Sequence, residues 1–205
     1  VQHASFVLRW RDLILYNDPV GGAAPYAGLP PAGLILVGHQ HGDHFNTATL
    51  DAVRAADAAL VVPPDVFDRL TAAQRETAIV LANGEETEIL GLHIAAVPAY
   101  NDRHPQGRDN GYVLTIANRR IYISGDTGPT PEMLALQEID LAFLCMNVPF
   151  TMTVDQAAEA LLAFRPRLVY PYHYRNQDGG FANLGRLRSL LGEGSGVQVK
   201  EGDWY

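Results

Sequence analysis

Short apolar runs separated by turn residues fill the first third of the chain. Residues 5–8 and 13–16 are two such runs flanking Arg11-Asp12, and the spacing predicts a β-hairpin. Asn17-Asp18-Pro19 ends its second strand. Residues 21–33 are a Gly/Pro/Ala-rich loop. The continuous apolar run Leu34-Ile35-Leu36-Val37 then reads as a buried strand. Asn46 is placed to cap a helix over residues 47–56. Residues 60–62 make another buried strand, and Pro63-Pro64 opens a short helix, where proline is tolerated.

The middle of the chain is rich in strands. Residues 78–81, 87–90 and 92–97 alternate or are apolar, with Asn83-Gly84 as a turn. Residues 98–110 are polar and read as an irregular loop. Residues 112–116 and 120–124 form a second hairpin around Asn118. The rhythm then changes to strand 141–144, helix 154–164, strand 168–170, helix 183–191 and strand 197–199. Runs of strands followed by strand–helix alternation predict sheets covered by helices on their outer faces, an α/β (α+β) architecture. Neither a linker nor a repeat interrupts the 205 residues, which suits a single domain over 1–205 with a full core.

Composition narrows the classes. With 47% apolar and 19% charged residues the chain is globular and not disordered. A net charge of −8 without any basic run argues against nucleic acid or an anionic membrane as partner. No apolar stretch reaches the ~18 residues of a membrane span. Cys145 is the only cysteine, so neither an internal disulfide nor a thiolate zinc finger is available, and its apolar setting reads as packing. The chain opens on Val1 and not Met, which leaves localisation open: cytoplasmic is favoured, with a secreted or periplasmic protein as the alternative.

Candidate chemistry is concentrated directly after the strand at 34–37. His39-Gln40-His41-Gly42-Asp43-His44 places four metal-ligand side chains in six positions. Two His at i and i+2 can chelate one cation, while the next Asp and His point elsewhere and start a second site. The remaining candidates also follow strands: His104 in the loop after 92–97, Asp126 after Tyr122-Ile123-Ser124-Gly125, and His173 after residues 168–172. Asp126 is also a good turn residue in Gly125-Asp126-Thr127-Gly128, and His104 or His173 alone could be a solvated or packed imidazole.

Together these pieces resemble the metallo-β-lactamase superfamily: the H-x-H-x-D-H signature, a mid-chain His, an Asp after a strand and a late His after a strand, in that order. Within it the chain is most similar to the L-ascorbate-6-phosphate lactonase-like branch. That likeness is carried by His3-Ala4-Ser5-Phe6, Asp18-Pro19, Pro98-Ala99-Tyr100-Asn101, residues 104–112, residues 121–127, Thr151-Met152-Thr153 and Pro171-Tyr172-His173-Tyr174. The resemblance implies a four-layer αββα sandwich and assigns ligands. His39, His41 and His104 would hold one metal, Asp43, His44 and His173 a second, and Asp126 would bridge them. Asp18, with His3 close by, is the expected partner for a ligating imidazole.

Imidazole and carboxylate ligands suit two divalent ions, Zn or Mn, with Fe as a further option. Such a pair activates a hydroxide near neutral pH, and Asp43 can accept a proton in the same step. Members that reduce oxygen with two irons resemble H-x-E-x-D at this motif, whereas His41 stands here. The expected function is a metal-dependent hydrolase of a small ester, lactone or phosphodiester, with a small-molecule substrate as partner and the oligomeric state left open. The alternative is a metal-stabilised binding protein without turnover. Arg108 and Asn110 are the candidate substrate contacts, although Arg108 could equally pair with Asp109 or Asp102.

Overall fold

A computed structural model describes residues 3–202. They form two compact units that meet in sequence between Ala82 and Asn83.

The first unit is a five-stranded sheet. The hairpin β1 (Phe6–Trp10) and β2 (Leu13–Asn17) is antiparallel, and β3 (Ala32–Leu36), β4 (Arg54–Val62) and β5 (Ala78–Val80) follow in parallel, in the order β1-β2-β3-β4-β5. Helix α1 (Thr47–Val53) is capped by Asn46, whose side chain accepts from the Thr49 N–H, as its sequence predicts. Leu50 and Val53 on this helix join Ile35, Val37, Leu60 and Val62 in one buried cluster. Each such side chain contributes about 1.5–3 kcal/mol by leaving water. The helix is shorter than the expected 47–56, because β4 begins at Arg54. Ala55 and Ala56 suit a helix on propensity, but parallel pairing with β3 and the burial of Ala58 and Ala59 draw the chain into the sheet. Two single-turn helices, α2 (Pro64–Phe67) and α3 (Ala72–Arg75), connect β4 to β5.

The second unit is a seven-stranded sheet of order β12-β11-β10-β9-β8-β7-β6. Strands β6 (Glu86–Ile89), β7 (Leu92–Asn101), β8 (His104–Ile116) and β9 (Arg119–Ile123) form an antiparallel meander. Strands β10 (Leu141–Cys145), β11 (Leu168–Tyr172) and β12 (Gln198–Val199) then extend it in parallel from β9. Helix α4 (Pro131–Leu134) is one turn, and α5 (Val154–Phe164) and α6 (Leu184–Leu191) are the two longer helices of this unit. Helix α5 has the bounds its sequence predicts; Thr153 and Gln156 close a reciprocal cap, and Ala157, Ala160, Leu161 and Phe164 form its buried face.

The polar stretch 98–110 is not a loop. It is the far end of a long hairpin, with Pro98 opposite Asn110, Ala99 opposite Asp109 and Asn101 opposite His104. Strand patterning is hidden there because several buried positions are polar: His104, Asp109 and Asn110 are all buried. Among the described residues no helix is long and apolar enough to cross a membrane.

Candidate metal centre

In the first unit the candidate residues gather at the carboxyl ends of two parallel strands. Asp18 follows β2, and residues 37–44 follow β3. The Asp18 N–H donates to Leu36 O at 2.9 Å, and the Gly38 N–H donates to Asp18 Oδ1 at 2.8 Å, which joins the two strand ends. Asp18 Oδ2 stands 2.8 Å from His44 Nδ1, with both side chains buried. A carboxylate only accepts, so this contact holds the His44 proton on Nδ1 and leaves Nε2 as the ligand atom. The expected role of Asp18 thus has its contact. The turn His41–Phe45 is closed by the His44 and Phe45 N–H groups, both donating to His41 O.

His39 Nε2 and His41 Nδ1 lie 3.1 Å apart. Two nitrogens bound tetrahedrally to one zinc at about 2.0–2.1 Å stand roughly 3.3 Å from each other, so the pair fits a shared cation. Asp43 is exposed, with Oδ2 3.1 Å from His3 Nε2 and 3.9 Å from His44 Nε2. His3 is not among the expected ligands. Its signal was its position at the head of the His3–Phe6 stretch, and the structure sets it against Asp43.

In the second unit the strands β9, β10 and β11 run parallel and end together. Asp126, Asn147 and His173 follow those ends, while the overhanging β7–β8 hairpin carries His104 to the same edge. Asp126 presents one oxygen to each imidazole: Oδ1 is 3.2 Å from His173 Nε2, and Oδ2 is 3.6 Å from His104 Nε2. That is the disposition of a carboxylate able to bridge two cations. His104 Nδ1 faces Asn101 Oδ1 at 3.1 Å, and His173 Nδ1 faces Asn147 Nδ2 at 3.2 Å. Sequence alone does not mark either asparagine as a partner of a ligand, because only the folded hairpin and the parallel strand ends bring them there.

The backbone behind Asp126 is unusually close. A Cβ on Gly111 would stand 2.6 Å from Ser124 O, and one on Gly125 (φ +61°) would stand 2.7 Å from Asn110 O. Glycine at both positions lets β8 and the Asp126 corner touch.

Cys145 is fully buried, and desolvation, followed by the charge of Asp126, pushes its thiol up. It is the packing residue the sequence suggests. Arg108 and Asn110, the expected substrate contacts, also meet partners within the chain. Asp109 grips the Arg108 guanidinium at 2.7 and 2.9 Å, and Asn110 is buried against Asn83 and Tyr112.

Imidazoles and carboxylates without thiolate, with Nε2 atoms turned toward Asp126 and Nδ1 atoms held from behind, fit divalent metal. Comparison with known proteins agrees. A model of the β-lactamase superfamily domain matches residues 15–174. The chain belongs to the metallo-β-lactamase superfamily. Within the superfamily it is 33% identical over 209 residues to a UPF0173 metal-dependent hydrolase of Thermococcus kodakarensis, covering 96% of this chain and 92% of the relative. A homologue of the same name from Pyrococcus horikoshii is 30% identical over 210 residues, with the same coverage. A solved structure described as a metal-dependent hydrolase, from Parabacteroides distasonis, superposes with a TM-score of 0.88 at 37% identity, over 100% of this chain and 91% of that one. Igni18, a metallo hydrolase of Ignicoccus hospitalis, shares the fold at 22% identity and a TM-score of 0.83, over 98% and 92% of the two chains. The chain is therefore a metal-dependent hydrolase of the metallo-β-lactamase superfamily, in the UPF0173 family, and its two sheets with helices agree with the α/β architecture expected of it.

Proposed function

We propose that this hydrolase works with two divalent ions, Zn or Mn with Fe as a further option, on a small ester, lactone or phosphodiester. The lactonase-like branch supplies the model for its chemistry. His39, His41 and His104 are assigned to one ion, Asp43, His44 and His173 to the other, and Asp126 to both. The observation that carries this reading is the Asp126 carboxylate, with a separate oxygen turned to each of His104 and His173.

Bound cations would supply acidity to water near neutral pH and polarise the substrate's carbonyl or phosphoryl oxygen. The chain's own residues do the rest. Asp43, exposed beside the buried His44, accepts the proton that the attack releases. His3, 3.1 Å away and part exposed, passes that proton to solvent. Asp18 and Asn101 hold His44 and His104 in the tautomer that keeps Nε2 available. In the second unit a groove of about 890 Å³ opens beside Asn101 and Gly128, two residues beyond Asp126. Its wall includes Tyr100, Pro129 and Phe150, and Arg103, whose Nε donates to Pro149 O and whose guanidinium lies over the Phe150 ring. We place the non-reacting part of the substrate in this groove.

Hydrolysis of chromogenic esters, lactones and phosphodiesters by metal-loaded protein tests the reading. Asp43→Asn keeps the size of the side chain and removes its charge, and activity should drop by at least ~100-fold while the fold survives. Equal rates for wild type and Asp43→Asn on every substrate would overturn it.

A further inference from the structure

The groove beside Gly128 has two charged side chains in its wall, Asp102 and Arg103. Both stand in the tight turn that joins β7 to β8. The strand end before that turn is tied to the Asp126 corner. The Gly128 N–H donates to Tyr100 O at 2.9 Å, and the Tyr100 N–H donates to Thr127 Oγ1 at 3.2 Å. A molecule held in the groove therefore stays in register with the Asp126 carboxylate.

Arg103 is exposed but held from two directions. Its Nε donates to Pro149 O at 3.0 Å, and its guanidinium carbon lies 5.3 Å from the centre of the Phe150 ring. These contacts orient the guanidinium and use its Nε–H, which leaves the edge formed by Nη1 and Nη2. Among the described residues that edge has no hydrogen bond and no carboxylate partner. Arg108 differs, because both oxygens of Asp109 receive its guanidinium. An open guanidinium edge takes two oxygens of a carboxylate or a phosphate side by side. Charge balance separates the two. Asp102 lines the same groove, and Glu132 Oε2 lies 3.1 Å from the Tyr100 hydroxyl in its wall. A singly charged carboxylate is neutralised by the one cation. A phosphate monoester, with about −1.5 to −2 charge at neutral pH, leaves charge uncompensated beside two acidic groups.

We propose that Arg103 is a specificity-determining residue: the substrate carries a free carboxylate, remote from the bond that breaks, and Arg103 receives it on Nη1 and Nη2. The proposal rests on the hydrolase reading above, with the groove as the seat of the substrate's non-reacting part. It narrows the substrate to an ester, lactone or phosphodiester that also bears a carboxylate.

The test compares substrates on the zinc-loaded full chain. One set is the mono-p-nitrophenyl esters of succinate, glutarate, adipate and pimelate. The other is the neutral p-nitrophenyl esters in which a methyl group replaces each free carboxylate. At one length or more, wild type should favour the acid in kcat/KM by about 10–100-fold, the range of a hydrogen bond to a charged group. Arg103→Gln should erase that ratio, chiefly through KM, and Arg103→Lys should restore part of it. A merely structural role would change both sets together and keep the ratio. Equal kcat/KM for acid and neutral esters at every length would overturn the proposal and leave the hydrolase reading standing, as would an unchanged ratio in Arg103→Gln. A phosphate monoester in place of the carboxylate should gain less, and a larger gain would overturn the choice of carboxylate. Glutarate binding separates the two levels. Titration with glutarate should shift the Arg103 Nε–H resonance of wild type, and Arg103→Gln should bind it about 10-fold more weakly. If no ester, lactone or phosphodiester is hydrolysed while glutarate still binds through Arg103, the hydrolase reading has failed and the carboxylate site stands. If wild type and Arg103→Gln bind glutarate alike, the carboxylate site has failed whatever the rates.

Discussion

Asp18 shows how much one side chain contributes at the site. It accepts from the Gly38 N–H, from Asn17 Nδ2 and from His44 Nδ1, and its own backbone is left-handed, at φ +42°. His173 is also left-handed, at φ +47°. A non-glycine residue at positive φ is costly, and it persists where surrounding contacts hold it, often at functional sites. Asp18→Ala would leave the buried His44 and Gly38 N–H groups unanswered. Stability should fall by about 1–3 kcal/mol, and zinc affinity by about 10–100-fold. Denaturant unfolding and chelator competition measure the two effects. A variant with reduced stability but unchanged zinc affinity would separate Asp18 from metal binding. At this scale the candidate ligands were legible because each carries its chemistry in its own side chain and the first four are adjacent. The contacts of His3 with Asp43, Asn101 with His104 and Asn147 with His173 were not, since His and Asn are ordinary turn residues until the fold sets them against an imidazole or a carboxylate.

Elements place these side chains by ending at shared edges. Parallel pairing brings the ends of β2 and β3 together in the first unit, and those of β9, β10 and β11 in the second. Helix α5 was readable to its bounds because periodicity and a capping box agree. Helices α3 and α4 are single turns held by Thr71 and Thr130, too short for any apolar period to show. The hairpin end at 98–110 was hidden by its function: a strand that buries His104, Asp109 and Asn110 loses the alternation by which strands are recognised. Gly111 is where this hairpin leans on the Asp126 corner, with backbone oxygens on the side a Cβ would occupy. Gly111→Ala should destabilise the protein by about 1–3 kcal/mol, the usual range for overpacking, and should weaken metal binding although Gly111 carries no ligand. Wild-type stability and metal content in Gly111→Ala would show that the close approach is dispensable.

Across the whole molecule the candidate ligands are divided, with His39, His41, Asp43 and His44 before the boundary at Ala82 and His104, Asp126 and His173 after it. The superfamily match spans both units. Metal bound only by the folded chain stabilises it by mass action, so a chelator should lower the melting temperature and metal should restore it. In the proposed assignment seven side chains hold two ions. Elemental analysis of protein purified without chelator, in wild type, His39→Ala and Asp126→Ala, tests it most directly. Wild type should hold two equivalents of divalent metal per chain, His39→Ala should lose metal, and Asp126→Ala, whose carboxylate is assigned to both ions, should lose more. A wild type that saturates at one equivalent, or an Asp126→Ala protein that keeps two, would contradict it.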